Sequence, residues 1–229
     1  MKFYKEKGTV LFKAVPFYSK IERYISMKFF SVDSPLYKFL TKLLDVIKLN
    51  FLWILFGIPI ITIGASTVAA MSVALKMADD EEGYIGRSFV KAFKENWKQG
   101  TLLWIITVIA VYAVYLDFQL FEAVEGNPVI FLIIGMVSAA LVIVALLYSY
   151  PLIARYENTL PKTIQNSINI SRKYFGRTLL LVILLAVEFV LFQFNSTMMF
   201  FAILLGPGFM IFTIASFSKR IFLQIEKES

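Results

Sequence analysis

No cysteine and no histidine occurs among the 229 residues. Those two absences remove thiol nucleophiles, disulfides, imidazole bases and almost every zinc, copper or haem site, because the side chains that such chemistry needs are missing. Charge is scarce too, at 17% of residues, against about 25% in ordinary soluble domains. There is no G-x-x-x-x-G-K-[ST] phosphate loop and no G-x-S-x-G elbow, so ATP hydrolysis and serine acyl transfer lack their parts. No catalytic residue, cofactor or metal is expected. The first 15 residues, MKFYKEKGTVLFKAV, hold no unbroken apolar stretch and no cleavage site, so they are not expected to act as a signal peptide.

What the chain has in abundance is apolar surface: 59% of its residues are hydrophobic and its mean hydropathy is +0.72. The apolar residues come in blocks long enough to cross a hydrocarbon layer of ~30 Å. Residues 101–121, 129–150, 178–194 and 198–217 each read as one span. Residues 39–77 would measure about 58 Å as a single helix, nearly twice the layer. Pro59 lacks a backbone N–H and disfavours helix at the residue before it, so a hairpin turn is expected at Gly57 and Pro59, with Pro59 opening the second span. The residues that follow, Gly64, Ala65, Ser66, Ala69 and Ala70, form a small-residue surface suited to close helix packing.

Basic residues accumulate in cytoplasmic loops of membrane proteins, which makes orientation testable. With the N-terminus inside and six spans, the inner segments carry ten, five, five and three Lys and Arg, and these are all 23 in the chain. The net charge of +7 then points to anionic lipid headgroups at the cytoplasmic face, not to nucleic acid. The predicted fold is all-α: a polytopic transmembrane bundle of six spans arranged as three hairpins, with cytoplasmic amphipathic helices and both termini cytoplasmic.

The two inner loops resemble one another. Setting Thr101 on Thr178, an offset of 77 residues, places Trp97 over Tyr174. In the first loop Ile85, Phe89, Phe93 and Trp97 recur every four residues; in the second, Ile164, Ile168 and Phe175 share a face. Both read as helices lying in the cytoplasmic interface or against the bundle floor. The segment SPLYKFLTKLLDVIK, with Asp33 or Ser34 as cap and Pro35 first in the helix, reads as a third copy.

The succession DSPLYKFL, LNFLWILFGIPIITIGAST, DDEEGYIGRSFVKAFKENWKQGTLLW and GRTLLLVILL resembles the YesL family of bacterial integral membrane proteins, over roughly residues 29–225. That resemblance implies a place in the cell membrane and an association with carbohydrate uptake, particularly sugar ABC importers; it supplies no catalytic activity and no functional residues. The E-A-A-x3-G sequence by which ABC permeases dock their ATPase is absent from both inner loops, so the chain is not expected to be the standard permease subunit. The first 28 residues depart from the family's usual start, with seven basic and two acidic residues among scattered aromatics. The chain accordingly divides into a basic amphipathic extension, 1–32, and a YesL-like transmembrane domain, 33–229.

Candidate intramembrane residues are few. Glu188 lies deep in the fifth span, where a carboxylate must face the bundle interior, take a proton or bind something; Tyr112, Tyr115 and Ser138 are its expected interhelical partners. Gly206, Pro207 and Gly208 interrupt the sixth span and would free backbone groups, as broken transporter helices do at binding sites. The run Asp79, Asp80, Glu81, Glu82 is expected to face a helix N-terminus or nearby lysines, because adjacent carboxylates do not converge on one ion. Two functions fit: a non-enzymatic accessory or scaffold protein for carbohydrate uptake, or a secondary transporter using Glu188 and a broken sixth span. An intramembrane enzyme of the cell envelope would have only carboxylates, hydroxyls and amines to work with. Oligomeric state is not legible in the sequence.

Overall fold

The computed structural model describes residues 34–79, 83–123 and 129–228. The N-terminal extension, Asp80 to Glu82 of the acidic run, and the connection at 124–128 lie outside them. Among the described residues all regular structure is helical: α1 (Pro35–Gly57), α2 (Ile63–Met77), α3 (Ile85–Ala123), α4 (Val129–Leu146), α5 (Ser149–Arg155), α6 (Leu160–Lys173), α7 (Phe175–Gln193) and α8 (Ser196–Glu228). Four stretches among the described residues are long and apolar enough to cross a membrane: Ile85–Phe121, Val129–Arg155, Phe175–Gln193 and Ser196–Glu228. The chain separates into two compact units, Met1–Asp45 and Val46–Ser229. Of the first, the described part is the start of α1, where Ser34 Oγ accepts the Tyr37 N–H at 3.1 Å and caps a helix opened by Pro35.

In the second unit, α1 ends at Gly57 and the chain reverses. The Ile60 N–H reaches the Gly57 carbonyl at 2.9 Å, and the Thr62 hydroxyl donates to the Phe56 carbonyl at 2.6 Å. Ile60 has a φ of 55°, a left-handed value that cannot continue a helix. That is why α2 opens at Ile63, four residues after the Pro59 start expected from the sequence. Across the hairpin, Trp53 Nε1 donates to Thr67 Oγ1 at 3.0 Å and Ser66 Oγ donates to the Trp53 carbonyl at 2.8 Å.

Helix α2 is the centre of the packing. Eleven of its 15 residues are buried, including Gly64, Ala65, Ser66, Ala69 and Ala70. A Cβ built on Gly64 would stand 2.1 Å from the Gly100 carbonyl oxygen, and one on Gly100 would stand 2.7 Å from Ala65 Cα. The two backbones touch there, which only glycines allow. Below this crossing Ala69 to Met77 share one core with Ile85, Phe89 and Ala92 of α3 and with Ile211 and Ala215 of α8.

Two sequence expectations change here. The first amphipathic segment is not a separate interfacial helix: α3 runs unbroken for 39 residues, because nothing between Trp97 and Thr101 stops it. Its basic half lies along α2 with Phe89 fully buried and Phe56 packed edge-on against Phe93, ring centroids 5.0 Å apart. The second segment does form its own helix, α6, and the face it buries most fully is Thr163, Ser167, Ile170 and Ser171; of the apolar face read from the sequence, Ile164 packs against the core and Phe175, which opens the next helix, is exposed. Hydroxyls turn inward because neighbouring helices offer them carbonyls. Helix α4 shows the opposite extreme, with only Gly135 buried, as suits a helix whose solvent is lipid.

Candidate functional site

Among the described residues of the second unit, three polar arrangements stand out. The first is the Gly206-Pro207-Gly208 interruption. Read from the sequence as able either to break the last helix or only to kink it, it leaves α8 continuous for 33 residues with Pro207 inside it. Pro207 has no N–H for the Ile203 carbonyl, and the kink pulls the Gly208 N–H off Leu204. Asn50 of α1 is spliced into the gap. Its Nδ2 donates to the Ile203 carbonyl at 3.0 Å and to the Leu204 carbonyl at 2.9 Å, while its Oδ1 accepts the Gly208 N–H at 2.9 Å. A Cβ on Gly208 would lie 2.8 Å from Asn50 Cβ and 2.9 Å from the Val46 carbonyl, so this glycine is what lets α1 approach. Gly206 faces the Phe192 ring at ordinary contact distance, 3.5 Å.

The second place is the α4–α5 junction. Here Ser167 of α6 inserts its hydroxyl into one step of the helical ladder, accepting the Tyr148 N–H at 3.2 Å and donating to the Val144 carbonyl at 3.1 Å. Ser171 donates to the same carbonyl at 3.2 Å. Tyr148 is fully buried, its phenol 3.1 Å from Thr178 Oγ1. Thr178 gives its own proton to the Tyr174 carbonyl at 3.1 Å, which makes Tyr148 the donor. Pro151, one turn on, frees another carbonyl and helps end α4 at Leu146.

Glu188 lies elsewhere from both. Its Oε1 accepts from Thr213 Oγ1 of α8 at 2.7 Å. None of the partners expected from the sequence holds it: Ser138 donates to Asp117 at 2.5 Å, and Tyr112 and Tyr115 are exposed, their rings stacked 6.2 Å apart. Asp117, like Glu188, is thus a carboxylate within the apolar part of a helix, bonded to a hydroxyl of a neighbouring one. A groove of about 610 Å³ reaches the Pro207 region at Ile203 and Leu204; Glu188 is not on its wall.

The third place is a polar trough where α3, α5, α6 and α8 converge. One part, about 800 Å³, is lined by Asn96, Gln99, Arg155, Tyr156, Glu157 and Asn158 among others. A second, about 420 Å³, shares Tyr156 and Asn158 and adds Asn166, Asn169, Lys173 and Glu226. Its cations are matched by carboxylates, while the Glu157 carboxylate on its wall belongs to neither pair. Arg155 forms two bonds to Glu226, both 3.0 Å, Tyr156 Oη donates to Glu226 at 2.5 Å, and Lys173 pairs with Glu228 at 2.6 Å. Burial and the Glu226 carboxylate push the Tyr156 phenol up to about 12, so it keeps its proton and remains a donor at any ordinary pH. Gln99 Nε2 donates to the Asn158 carbonyl at 2.9 Å, tying the loop before α6 to α3.

The acidic run is represented by Asp79, whose carboxylate pairs with the nearly buried Lys219. Lys219 also donates to the Ala78 carbonyl at 2.8 Å, closing the negative C-terminal end of α2. Among the described residues no group of three Asp or Glu converges.

Asn50, Ser167 and Ser171, and the carboxamides of the trough, escape a reading of the sequence. Asn50 carries a usable signal, a neutral amide inside an apolar run, a residue type that membrane helices use to bind one another. The hydroxyls at Ser167 and Ser171, four apart on one helix face, carry a weaker one.

Residues 46–118, the second half of α1 through most of α3, match the family model described as protein of unknown function, DUF624. This is the family of YesL-like proteins. The matched segment begins where the second compact unit begins and holds Asn50, the hairpin turn and the Gly64–Gly100 crossing. No curated protein matches the chain, and no solved structure matches it.

Proposed function

We propose that this chain is a non-enzymatic scaffold of the YesL kind in the cell membrane, which receives a cytoplasmic segment of a carbohydrate importer in its polar trough and meets anionic lipid with its basic face. The trough carries the proposal. Its Asn and Gln side chains present both donors and acceptors at neutral charge, and its cations Arg155 and Lys173 are already paired with carboxylates, so the surface suits an extended polar protein segment better than a free anion. The link to sugar import rests on the family resemblance of the segment containing the first hairpin. Affinity purification in mild detergent from cells carrying a tagged chain tests it: importer subunits should co-purify, and Asn166→Arg with Asn169→Arg should release them. Recovery of the chain alone, with sugar uptake unchanged on deletion, would sink the scaffold reading.

The same proposal has six crossings and both termini in the cytoplasm. The Gly64–Gly100 contact favours a second topology. It sets the hairpin tip beside the start of the apolar half of α3, so α1 and α2 could enter from the cytoplasmic side and return, leaving four crossings. All 23 basic residues stay inside in either case, since both counts are even. With no native cysteine, a short hydrophilic linker holding one cysteine, inserted after Ile58 so that it reaches water beyond the turn, separates them by labelling with a membrane-impermeant maleimide: labelling on intact cells supports six crossings, labelling only after the membrane is permeabilised supports four.

A further inference from the structure

We propose that the chain holds one anionic phospholipid in a composite groove made by α1, α8 and the first turns of α3. Its apolar end is the groove of about 610 Å³ lined by Ile47, Phe51 and Ile54 of α1 and Phe200, Ile203 and Leu204 of α8, with Ile85 and Gly86 at its edge. At Leu52 and Gly86 this groove joins a second recess of about 620 Å³, whose other walls are Arg87, Val90, Lys91 and Lys94. The two share those residues, so they form one depression with hydrocarbon character at one end and three cations at the other. Arg87, Lys91 and Lys94 recur at spacings of four and three and therefore occupy one face of α3.

An acyl chain and a phosphate fit the two ends, in the order that a phospholipid presents them. Arg87 has its guanidinium 5.0 Å from the Tyr84 ring, an arrangement that steadies it and leaves its edge N–H groups free to bind a phosphate. Lys91 stands 3.9 Å from Glu95, both well exposed, a pairing too weak to hold it from a phosphate. The recess also lies at the start of a 39-residue helix, where N–H groups without intrahelical partners favour an anion. A free phosphate would use only the cationic end and leave the apolar groove empty; the joined ends select the lipid.

This deepens the reading of the basic face as a lipid contact by assigning it a single saturable site. General attraction to anionic membranes would survive loss of the groove, so the two ideas fail separately. The test is retention of dioleoyl-phosphatidylglycerol by the delipidated full chain, measured by native mass spectrometry, with dioleoyl-phosphatidylcholine and glycerol phosphate as comparisons. Wild type should bind one phosphatidylglycerol in preference to phosphatidylcholine, and glycerol phosphate should not displace it. The triple change Arg87→Gln, Lys91→Gln, Lys94→Gln should weaken retention at least tenfold. Gly86→Trp should do the same without altering charge, and a Cβ at Gly86 meets nothing within 4 Å, so the fold accommodates it. Lys162→Gln with Arg172→Gln, on α6, should leave the bound lipid in place. Unchanged retention in both groove variants, an equal loss in the α6 control, or displacement by glycerol phosphate would each overturn the site.

Discussion

Asn50 and Ser167 perform the same operation on two different helices, and the contrast between them separates repair from interruption. Each side chain enters a backbone ladder, accepts an N–H from above and donates to the carbonyl that the N–H would otherwise have met. At Pro207 the gap exists already, because the imino ring removes a donor, and Asn50 closes it so well that α8 stays continuous. At Tyr148 both the N–H and the carbonyl were present, and the hydroxyl parts them; α4 ends there. The first splice answers a vacancy written into the chain. The second makes one.

Removing the amide from the repair should therefore hurt most. Asn50→Leu leaves two carbonyls and the buried Gly208 N–H without the partners they have now, and we expect a loss of about 3 kcal/mol, allowing for partners that the membrane-embedded unfolded state finds for itself. Reversible unfolding in detergent micelles measures it. Adding Pro207→Ala to Asn50→Leu restores the missing donor and should recover at least half of that loss; if the double variant is no better than the single one, the repair account is wrong. Gly208→Ala pushes a methyl group into Asn50 and the Val46 carbonyl, and should cost about 2 kcal/mol in the same assay.

The interruption should be more forgiving. In Ser167→Ala the Tyr148 N–H can close directly on Val144, where Ser171 still donates, so we expect about 1 kcal/mol. Amide hydrogen exchange offers the sharper reading: protection at Tyr148 should persist or rise as α4 rewinds into α5. Exchange faster than in the native chain would show that Ser167 was repairing, not interrupting, and would erase the contrast. Glu188→Gln provides the baseline, an ordinary side-chain bond between helices that touches no ladder. With the Thr213 partner retained it should change stability by no more than about 0.6 kcal/mol. The same variant in proteoliposomes bears on the transporter alternative, since sugar uptake by the wild type that this change abolishes would make Glu188 functional.

How much of this was legible beforehand follows from where each cause resides. The turn at Gly57 to Thr62 and the small-residue face of α2 are local, written in a proline and a run of glycine, alanine and serine. The four long apolar helices announce themselves by length. Helix α2 is harder to class by hydropathy, because a helix enclosed by protein can use small residues where a lipid-facing one, such as α4, uses large ones. The continuity of α8 could not be read from Gly206-Pro207-Gly208, since the group that preserves it sits more than 150 residues earlier. For α6, periodicity identified the helix and part of its packed side, since Ile164 does lie against the core; the carbonyls exposed at the α4–α5 junction turn the fully buried face one step further, onto Ser167 and Ser171.

The turn between α1 and α2 carries a further consequence. Ile58, Ile60 and Ile61 are 68%, 69% and 58% exposed, and the middle one adopts a conformation that disfavours a branched side chain by about 1–2 kcal/mol. In water, glycine or asparagine would serve better at Ile60 and polar residues better on either side. Meanwhile the turn ties its own backbone down, Ile60 N–H to Gly57, Ile61 N–H to Pro59 and Ile63 N–H to Ile60, so little of it calls for hydration. A connection greased outside and self-satisfied inside is built to be submerged. Whichever side the hairpin enters from, its end is suited to rest among lipid tails or against another apolar surface, and water is the medium it fits least.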